Sequence, residues 1–260
     1  MSLRRKQNNY NTDSMKIVNC TWELDNIGKK TAEIEISLHE SVDKNLVADV
    51  EHDYEYIVVK IPAGHIEASE TIQDMGYKYF ETQMKLSKTA KSFNYNDRLF
   101  KLFSNTIKID VADTEEKLQR ILDSMTPMMF STDRISCDPI FGPEVGLRRY
   151  QNWTKTEYQR GSFLYEMQLE DGAGIGFGLA RLGENEVHGL LGGIYEKYQN
   201  LGYGLLTSSS FQLYCMQSGH RYSRLITAIS SNNLPVLQFY NYLNYKVDNL
   251  FDVFIKHVEK

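Results

Sequence analysis

Six consecutive residues in the last third of the chain have types and spacing that could hold a phosphate group. They are Gln199, Asn200, Leu201, Gly202, Tyr203 and Gly204. The apolar run 187–194 before them predicts a strand, and residues 205–218, which lack proline and glycine, predict a helix ending at Gly219. A turn between a strand and a helix leaves backbone N–H groups unpartnered at the positive end of the helix, and glycine lets an anion approach. The six residues therefore predict a phosphate or pyrophosphate loop.

Two better-known phosphate loops do not fit this segment. It has no Gly-Lys-Ser or Gly-Lys-Thr, which excludes a P-loop. It also lacks the third glycine of a dinucleotide fingerprint, and no acidic residue follows a second strand about 20 positions later. The next predicted strand, 224–229, leads instead to Asn232 and Asn233. Asn233 is the predicted N-cap of a helix over 234–243, with Pro235 in its first turn.

Together these two segments resemble the GNAT superfamily of acyl-CoA-dependent N-acyltransferases. Gln199-x-x-Gly202-x-Gly204 resembles the pyrophosphate loop of that family. Asn233, Tyr240 and Leu243-Asn244-Tyr245 resemble its "Asn…Tyr…Leu-Gly-Phe" ending. Asn244 stands where the family usually has glycine, and asparagine tolerates the left-handed conformation that such a turn requires.

The resemblance implies acetyl-CoA as co-substrate and no metal. The residues that it assigns to the coenzyme are Leu191, Gly192, Gly193, Ile194, Gln199, Asn200, Leu201, Gly202, Tyr203, Gly204, Leu205 and Asn233. It assigns Tyr240 as the general acid, because a phenol with an ordinary pKa of about 10 stays protonated at neutral pH. The alternative for Tyr240 is core packing with Phe239 and Tyr242.

The general base is left open by the sequence. His188 lies eleven residues before Gln199, the offset at which histone-acetylating members of the family place a glutamate base, and histidine titrates near neutral pH. Glu166 and Asp138 are rival candidates. Water is a further alternative, because relatives that act on sugar amines often use water or a weakly basic amine.

A second segment carries a narrower resemblance. The run from Arg134 to Phe141 resembles the "Arg-x-Ser-x-Asp-Pro-x-Phe" of the dTDP-fucosamine acetyltransferase branch, whose members acylate nucleotide-linked amino sugars and begin with half an acyltransferase domain. Cations suit a diphosphate and aromatic rings suit sugar faces. The acceptor residues that this implies are Arg134, Asp138, Phe141, Arg149 and Trp153. Alternatively, Asp138-Pro139 is a plain turn, Phe141 and Trp153 belong to the core, and the arginines are solvated.

Composition restricts the partners and the location of the protein. A net charge of −5 argues against nucleic acid and against an aminoacyl-tRNA donor. The three cysteines, Cys20, Cys137 and Cys215, and the six histidines have no spacing typical of zinc or a disulfide framework. No apolar run reaches the roughly 18 residues of a membrane-spanning helix, and no signal-peptide core follows Arg4. We therefore expect a soluble cytoplasmic protein with a small-molecule substrate and neither nucleic-acid nor membrane partners; a homodimer is one assembly state left open.

The pattern of elements predicts an α/β (α+β) protein with a GNAT fold, in which helices flank a mixed, mostly antiparallel sheet. We expect a partial GNAT-like α/β domain over 15–90, a linker over 91–105 and a catalytic domain over 106–260. In the first domain, strands are predicted over 31–38, 54–61 and 79–86, and helices over 42–50 and 66–75. Residues 1–14 are polar and expected to be frayed, and Met15 is an alternative start.

The first domain contains a short echo of the second. Asp74-Met75-Gly76-Tyr77-Lys78 leads from a helix into a strand, as Tyr242-Leu243-Asn244-Tyr245-Lys246 does later. A degenerate first acyltransferase-like half is one explanation, and a chance likeness of two turns is the other.

The resemblances imply an acetyl-CoA-dependent N-acetyltransferase that acylates a nucleotide-linked amino sugar in surface polysaccharide biosynthesis. The amine would attack the thioester directly, with Tyr240 as acid. Two other functions stay open: acylation of a peptide or small-molecule amine, and acyl-CoA binding without catalysis.

Overall fold

The computed structural model describes residues 10–11 and 15–259. The chain forms two compact units, one that runs up to Gln83 and includes the segment from Asn249 onward, and one formed by Met84–Asp248. The prediction of frayed ends concerns residues 1–14. Within these, Tyr10–Asn11 pairs as a short strand, and the rest of the prediction lies outside the described residues.

The first unit contains four strands of its own and three helices among its described residues. In order they are β1 (Tyr10–Asn11), β2 (Met15–Asn19), α1 (Trp22–Ile27), β3 (Thr31–Ile36), α2 (Lys44–Asp53), β4 (Tyr56–Pro62) and α3 (Ile66–Asp74), followed by the start of β5 (Lys78–Thr89) and, from later in the chain, the end of β11 (Lys246–His257). The strand order is β1-β2-β3-β4-β11, with β3 and β4 parallel and the other described pairs antiparallel. Alternating residues of β3, such as Ile34, meet Val47 of α2 and Ile72 of α3 in one core.

The second unit begins with the end of β5 and contains the larger set of elements. They are α4 (Arg98–Thr106), β6 (Ile107–Val111), α5 (Glu115–Asp123), α6 (Arg134–Cys137), α7 (Pro143–Gln159), β7 (Phe163–Leu169), β8 (Gly174–Leu182), β9 (Glu186–Ile194), α8 (Leu206–Ser218), β10 (Arg224–Ser230) and α9 (Leu234–Tyr242), and then the start of β11. The strand order is β5-β10-β9-β8-β7-β6, in which β9 and β10 are parallel and the pairs from β9 to β6 antiparallel. This confirms the predicted α/β class and the mixed, mostly antiparallel sheet.

Helices cover both faces of the second unit's sheet, and each face has its own core. On one face, Tyr165 and Ala180 pack with Phe103 of α4 and Phe211 of α8. On the other, Leu164, Phe177 and Leu179 pack with α5 and with a 3₁₀ turn over Pro127–Phe130. We call these the α8 face and the α5 face.

The later elements of the two units repeat in register. Each second-unit element begins 168 residues after its first-unit counterpart: β10 at 224 against β4 at 56, α9 at 234 against α3 at 66, and β11 at 246 against β5 at 78. The three pairs also match in length, at 7, 9 and 12 residues. The turns that follow the helices use left-handed residues, Gly76 at φ 86° and Asn244 at φ 55°. The echo in the sequence therefore reflects a structural repeat rather than a chance likeness of two turns.

The segment predicted as a linker, 91–105, is structured instead. It contains most of α4, whose first turn is capped by the Asp97 carboxylate. Phe100 and Phe103 of this helix are buried in the α8-face core. Their i, i+3 spacing was hidden among the polar and aromatic residues that surround them. The helix after β6 begins at Glu115, with Thr114 as its N-cap.

Among the described residues, no helix combines the length and apolar character needed to cross a bilayer. The same residues contain no cluster of three or more His, Cys, Asp or Glu side chains that could hold a metal ion.

Candidate active site

Strands β9 and β10 run side by side at first and then separate. Their register begins at Glu186 and ends with Gly189 opposite Thr227, although β9 continues to Ile194. We call this point of separation the β9–β10 split. A split between parallel strands exposes backbone groups at the middle of a sheet, where they would otherwise be paired.

A β-bulge at Leu190 coincides with the split. The consecutive β8 residues Leu179 and Ala180 pair with Leu191 and Gly189, so Leu190 has no partner opposite it. A bulge bends its strand and increases its twist, which accounts for the departure of β9 from β10. Beyond the bulge, the backbone N–H groups of β9 that point toward β10 have no ladder partner there in the described part of the chain.

The predicted phosphate loop follows directly and has the expected backbone geometry. Asn200 and Gly202 adopt positive φ angles of 62° and 91°. The Gln199 side-chain amide donates to the carbonyl of Ile194 at 3.2 Å, which ties the loop to the end of β9. The N–H groups of Asn200, Leu201 and Gly202 donate to no backbone carbonyl of the described chain. Successive N–H groups in such a turn form a concave cradle for an anion.

The first turn of α8 contributes to the same cradle. A 3₁₀ turn over Tyr203–Leu205 runs into the helix, and no side chain caps its N-terminus. Thr207 is turned inward, because its hydroxyl donates to the carbonyl of Gly204 at 2.7 Å. The positive end of the helix is therefore directed at the loop without a carboxylate to neutralise it.

The two loop glycines have different roles. A Cβ at Gly202 would meet nothing within 4 Å, so this side of the loop is open to a ligand. A Cβ at Gly204 would lie 2.6 Å from the ring of Phe239, so this glycine allows α9 to pack against the loop. The sequence predicted that both glycines make room for the anion, but in the structure the Cβ side of Gly204 faces the ring of Phe239.

Tyr240 lies on α9 at the split. Asn233, predicted as the N-cap of this helix, accepts a hydrogen bond from the Val236 N–H at 3.3 Å, so its side-chain oxygen is used within the protein. Burial raises the pKa of the Tyr240 phenol, and hydrogen bonds with the side chains of Thr227 and Ser208 partly offset this rise. Thr227 in turn donates to the carbonyl of Gly189 at 3.1 Å. The phenol is thus tied to the last pair before the strands separate.

His188 lies on the opposite face of the sheet from Tyr240. It is exposed on β9, one residue before the split, and pairs with Arg181 on β8. Arg181 donates to Glu157 of α7 at 2.8 Å, which fixes the side of the sheet that these residues occupy. Because side chains alternate along a strand, Thr227 and Gly189 face the opposite side of the sheet from His188. Tyr240, which is bonded to Thr227, therefore lies on the α8 face, and His188 lies on the α5 face.

The two rival bases are engaged in structural contacts. Glu166 is buried and accepts hydrogen bonds from Arg120 and Gln168, each at 2.8 Å, and from the Tyr195 hydroxyl at 3.1 Å. Asp138 is also buried, and its carboxylate accepts from the backbone N–H two residues later at 3.0 Å. Of the three side chains considered as base, His188 alone is exposed.

Three of the five predicted acceptor residues gather around Tyr150 of α7, which was not among them. Arg149 lies 5.7 Å from the centre of the Tyr150 ring and Trp153 lies 6.0 Å from it. Burial and the charge of Asp133 raise the pKa of Tyr150, while the positive charges of Arg149 and Arg134 oppose the rise. The Tyr150 hydroxyl donates to Asp133 at 2.7 Å. We call this group the Tyr150 cluster.

The other two predicted acceptor residues form the turn before α7. The Phe141 N–H donates to the carbonyl of Asp138 at 3.1 Å. With the Asp138 side chain buried, this part of the segment matches the turn that the sequence offered as the alternative.

The Tyr150 cluster borders the free half of β9. The Tyr150 ring stacks on Phe130 at 4.3 Å, and Phe130 closes the Pro127–Phe130 turn. The preceding residue, Met129, lies against β9, because a Cβ at Gly193 would be 2.9 Å from its terminal methyl. A molecule held by the cluster would therefore approach the split from the α5 face, the side on which His188 lies.

Sequence reasoning missed Thr227, Ser208, Met129 and Tyr150. Thr227 carried a usable signal, because it is a polar residue inside the apolar strand Leu225–Ile229. The other three carried none, since their roles depend on which elements pack together.

No family model and no curated protein matches this chain in sequence. Solved structures do match it. A conserved protein of unknown function from Staphylococcus epidermidis is 11% identical over 100% of this chain and 96% of its own, with a TM-score of 0.64. A GCN5-related N-acetyltransferase from Sphaerobacter thermophilus is 10% identical over 95% of this chain and 78% of its own, with a TM-score of 0.62. A tandem GNAT protein from the clavulanic acid biosynthesis pathway is 11% identical over 88% and 76%, with a TM-score of 0.53. At such identities the likeness shows the fold, and the predicted GNAT fold is confirmed.

Proposed function

We propose that this protein is an acyl-CoA-dependent N-acyltransferase. The observation that carries the proposal is the β9–β10 split, with an anion cradle after β9 and a phenol anchored to the last strand pair by Thr227. No other part of the described chain combines free backbone donors, an open loop and a protonated acid in this way.

The residues present fit acetyl-CoA as the donor. The N–H groups of Asn200, Leu201 and Gly202 suit a pyrophosphate, and the open side of Gly202 leaves room for it. The free edge of Leu191–Ile194 offers hydrogen bonds to an extended amide chain. When bound, the coenzyme supplies an acyl group activated as a thioester.

The two faces of the sheet divide the proton transfers between two side chains. An amine that arrives from the α5 face must be neutral to attack the acyl carbon, and His188 accepts the proton that the nitrogen loses. Backbone N–H groups at the split stabilise the negative charge that develops on the acyl oxygen. As the C–N bond forms and the C–S bond breaks, Tyr240 donates its proton to the departing sulfur from the α8 face. The raised pKa of its phenol keeps that proton available at neutral pH.

We further propose a nucleotide-linked amino sugar as the acceptor, in the biosynthesis of a surface polysaccharide. The Tyr150 cluster supports this proposal, because Arg149 offers charge to a diphosphate, and Trp153 offers a ring face to a sugar or base.

The acceptor is tested by incubating the protein with acetyl-CoA and a panel of amines, and by measuring the release of free thiol. The panel contains dTDP-, UDP- and GDP-linked amino sugars, the free amino sugars, peptides and polyamines. We expect turnover with nucleotide-linked sugars only. Turnover with peptides or polyamines alone would move the acceptor to another class, and acetyl-CoA binding without any turnover would favour a binding module.

Replacing Arg149 by alanine should weaken the acceptor and not the donor. A charge-assisted pair with a diphosphate contributes roughly 1.5–3 kcal/mol, so we expect the KM of the acceptor to rise about ten- to a hundredfold. The KM of acetyl-CoA should stay within about twofold, and the exposed neighbour Arg148→Ala serves as the control. Equal changes in both KM values would show that Arg149 supports the fold instead.

A further inference from the structure

Lys88 occupies an unusual position for a lysine. It lies near the end of β5, in the second unit, and only 4% of its surface is exposed. Its ammonium donates to the carbonyl of Leu243, the residue that caps the C-terminus of α9. The same ammonium lies 5.9 Å from the centre of the Tyr245 ring. A buried lysine is costly unless such contacts compensate it, and a cation at a helix C-terminus is favourable.

These contacts lead directly to Tyr240. The Tyr245 N–H donates to the Tyr240 carbonyl at 3.0 Å, and the two rings meet edge to face at 4.7 Å. The Tyr245 hydroxyl is itself held, because it donates to the Ser208 carbonyl at 3.2 Å and accepts from Gln212 at 3.0 Å. Lys88 therefore fixes the end of the helix and the ring on which Tyr240 rests.

The first unit contains a similar arrangement, in which the lysine also forms an ion pair with Glu51 at 2.8 Å and has no tyrosine to position. Lys256 stands 168 residues after Lys88, and its ammonium donates to the carbonyl of Met75, the cap of α3, at 2.7 Å. It lies 5.2 Å from the centre of the Tyr77 ring. The residue in the place of Tyr240, by the same offset of 168, is Ile72, which is fully buried.

We infer that Lys88 is a positioning residue that holds the Tyr240 hydroxyl at the β9–β10 split through the α9 C-terminus and the Tyr245 ring. The inference rests on the proposed function, in which Tyr240 is the acid. It assigns to the end of β5 an indirect part in the proposed chemistry of the second unit, through α9 and Tyr245.

The repeat supplies a matched pair of variants, Lys88→Met and Lys256→Met. Both remove an ammonium from a helix cap and an aromatic ring, one that is buried in Lys88 and partly exposed in Lys256, so both should lower the midpoint of thermal unfolding. Displacement of a catalytic group by about an ångström costs up to about a hundredfold in rate, so we expect kcat of Lys88→Met to fall about ten- to a hundredfold. The KM of acetyl-CoA should be unchanged, and Lys256→Met should keep kcat within about twofold. Equal losses of kcat in the two variants, or full kcat in folded Lys88→Met, would overturn the inference.

A second readout does not depend on turnover. With 3-fluorotyrosine incorporated, the ¹⁹F resonance of Tyr240, assigned by its loss in Tyr240→Phe, should shift or broaden in Lys88→Met and not in Lys256→Met. An unchanged resonance in Lys88→Met would refute the positioning role even if wild-type protein acylates no amine in the panel. If wild-type protein shows no turnover and the resonance responds as expected, the proposed function fails and the positioning role stands. Should the methionine variants not fold, Lys88→Arg and Lys256→Arg, which keep the charge, take their place with the same expected contrast.

Discussion

At the scale of single residues, the proposed chemistry depends on one hydroxyl whose surroundings are specified by its neighbours. Tyr240 is held by Thr227 and Ser208 on one side and by the Tyr245 ring on another. Because burial raises its pKa above the ordinary value of about 10, the phenol stays protonated across the physiological range.

Tyr240→Phe should lower kcat by about two to four orders of magnitude, the usual contribution of a general acid, with little effect on acetyl-CoA binding. In the wild type, no alkaline fall in rate caused by this phenol should appear below about pH 10, since its pKa is raised from that value. Steady-state rates between pH 6 and pH 10 test both points. Tyr242 lies on the same helix as Tyr240, and its hydroxyl donates to Asp97. The control variant Tyr242→Phe should keep its kcat. Full kcat in Tyr240→Phe, under conditions where chemistry limits the rate, would reject the assignment.

His188→Gln tests the opposite face of the sheet. A histidine base loses activity as it is protonated, so the acid limb of kcat/KM should be present in the wild type and absent in the variant. The rate at neutral pH should fall about a hundredfold or more. His39→Gln, an exposed histidine of the first unit, is the matched control and should show the wild-type profile. Near-normal activity of His188→Gln with an intact acid limb would leave water as the base.

The sequence predicted single residues where a role depends on local geometry. The N-cap at Asn233, the left-handed turn at Asn244 and the left-handed Gly202 of the loop follow from backbone preferences that each residue carries with it. Roles that depend on packing were not predictable. The sequence left Asp138 open as a ligand of a sugar or as part of a turn, and the fold shows that Asp138 and Phe141 build the turn before α7.

At the scale of elements, the two units contain the same strand–helix–strand order. The cleft between the parallel strands is open in the second unit, where β9 and β10 separate, and closed in the first, where β3 and β4 stay paired. In the first unit, β3 and β4 stay paired from Thr31 to Glu35, nearly the whole length of β3. The start of α2 is occupied by the Asp43 carboxylate, which accepts from two backbone N–H groups. The N–H groups at the start of this helix are therefore already neutralised, whereas no carboxylate caps the start of α8.

A negative charge in the loop should abolish donor binding. Leu201 is 62% exposed beside the free N–H groups, so Leu201→Asp adds a carboxylate without filling the core. We expect calorimetry to give one acetyl-CoA per wild-type chain, and none measurable for Leu201→Asp. Leu24→Asp makes the same change at a 50% exposed site of the first unit and should bind normally. Two molecules bound per chain, or unchanged affinity in Leu201→Asp, would contradict the assignment of the loop.

The type of each element was predictable from periodicity, whereas the unit to which it belongs was not. The alternation in β3 and the apolar run of β9 indicate strands without reference to anything distant. The domain boundaries expected at 90 and 106 cut through the second unit, because Met84–Thr89 and α4 both belong to it. Nothing local in β5 signals that its first half and its second half lie in different units.

At the scale of the whole molecule, the fold depends on an exchange of strand ends. The end of β5, which follows the repeat helix of the first unit, belongs to the second unit, and the end of β11, which follows the repeat helix of the second, belongs to the first. Each unit is completed by a strand that the other repeat provides.

Neither half should therefore fold by itself. Fragment 15–90 lacks the end of β11, which belongs to the first unit, and fragment 91–260 lacks the end of β5, which belongs to the second. We therefore expect no cooperative unfolding transition for either fragment when it is purified separately. Intact protein cut at a protease site inserted between Phe93 and Asp97 keeps all its strands and should unfold cooperatively. Circular dichroism during thermal unfolding distinguishes these cases. A sharp transition for either isolated fragment would disprove the dependence.

The exchanged strand ends also bear on how such a chain can change over generations. A duplicated copy whose own cleft has closed would ordinarily be free to accumulate damage or be deleted. Here a deletion of the first repeat would remove Lys88 and its strand from the second unit, so mutations that disrupt the first repeat would be exposed to selection on the activity proposed for the second. The surface of the first repeat can therefore diversify, but neither repeat can be lost without damage to the other.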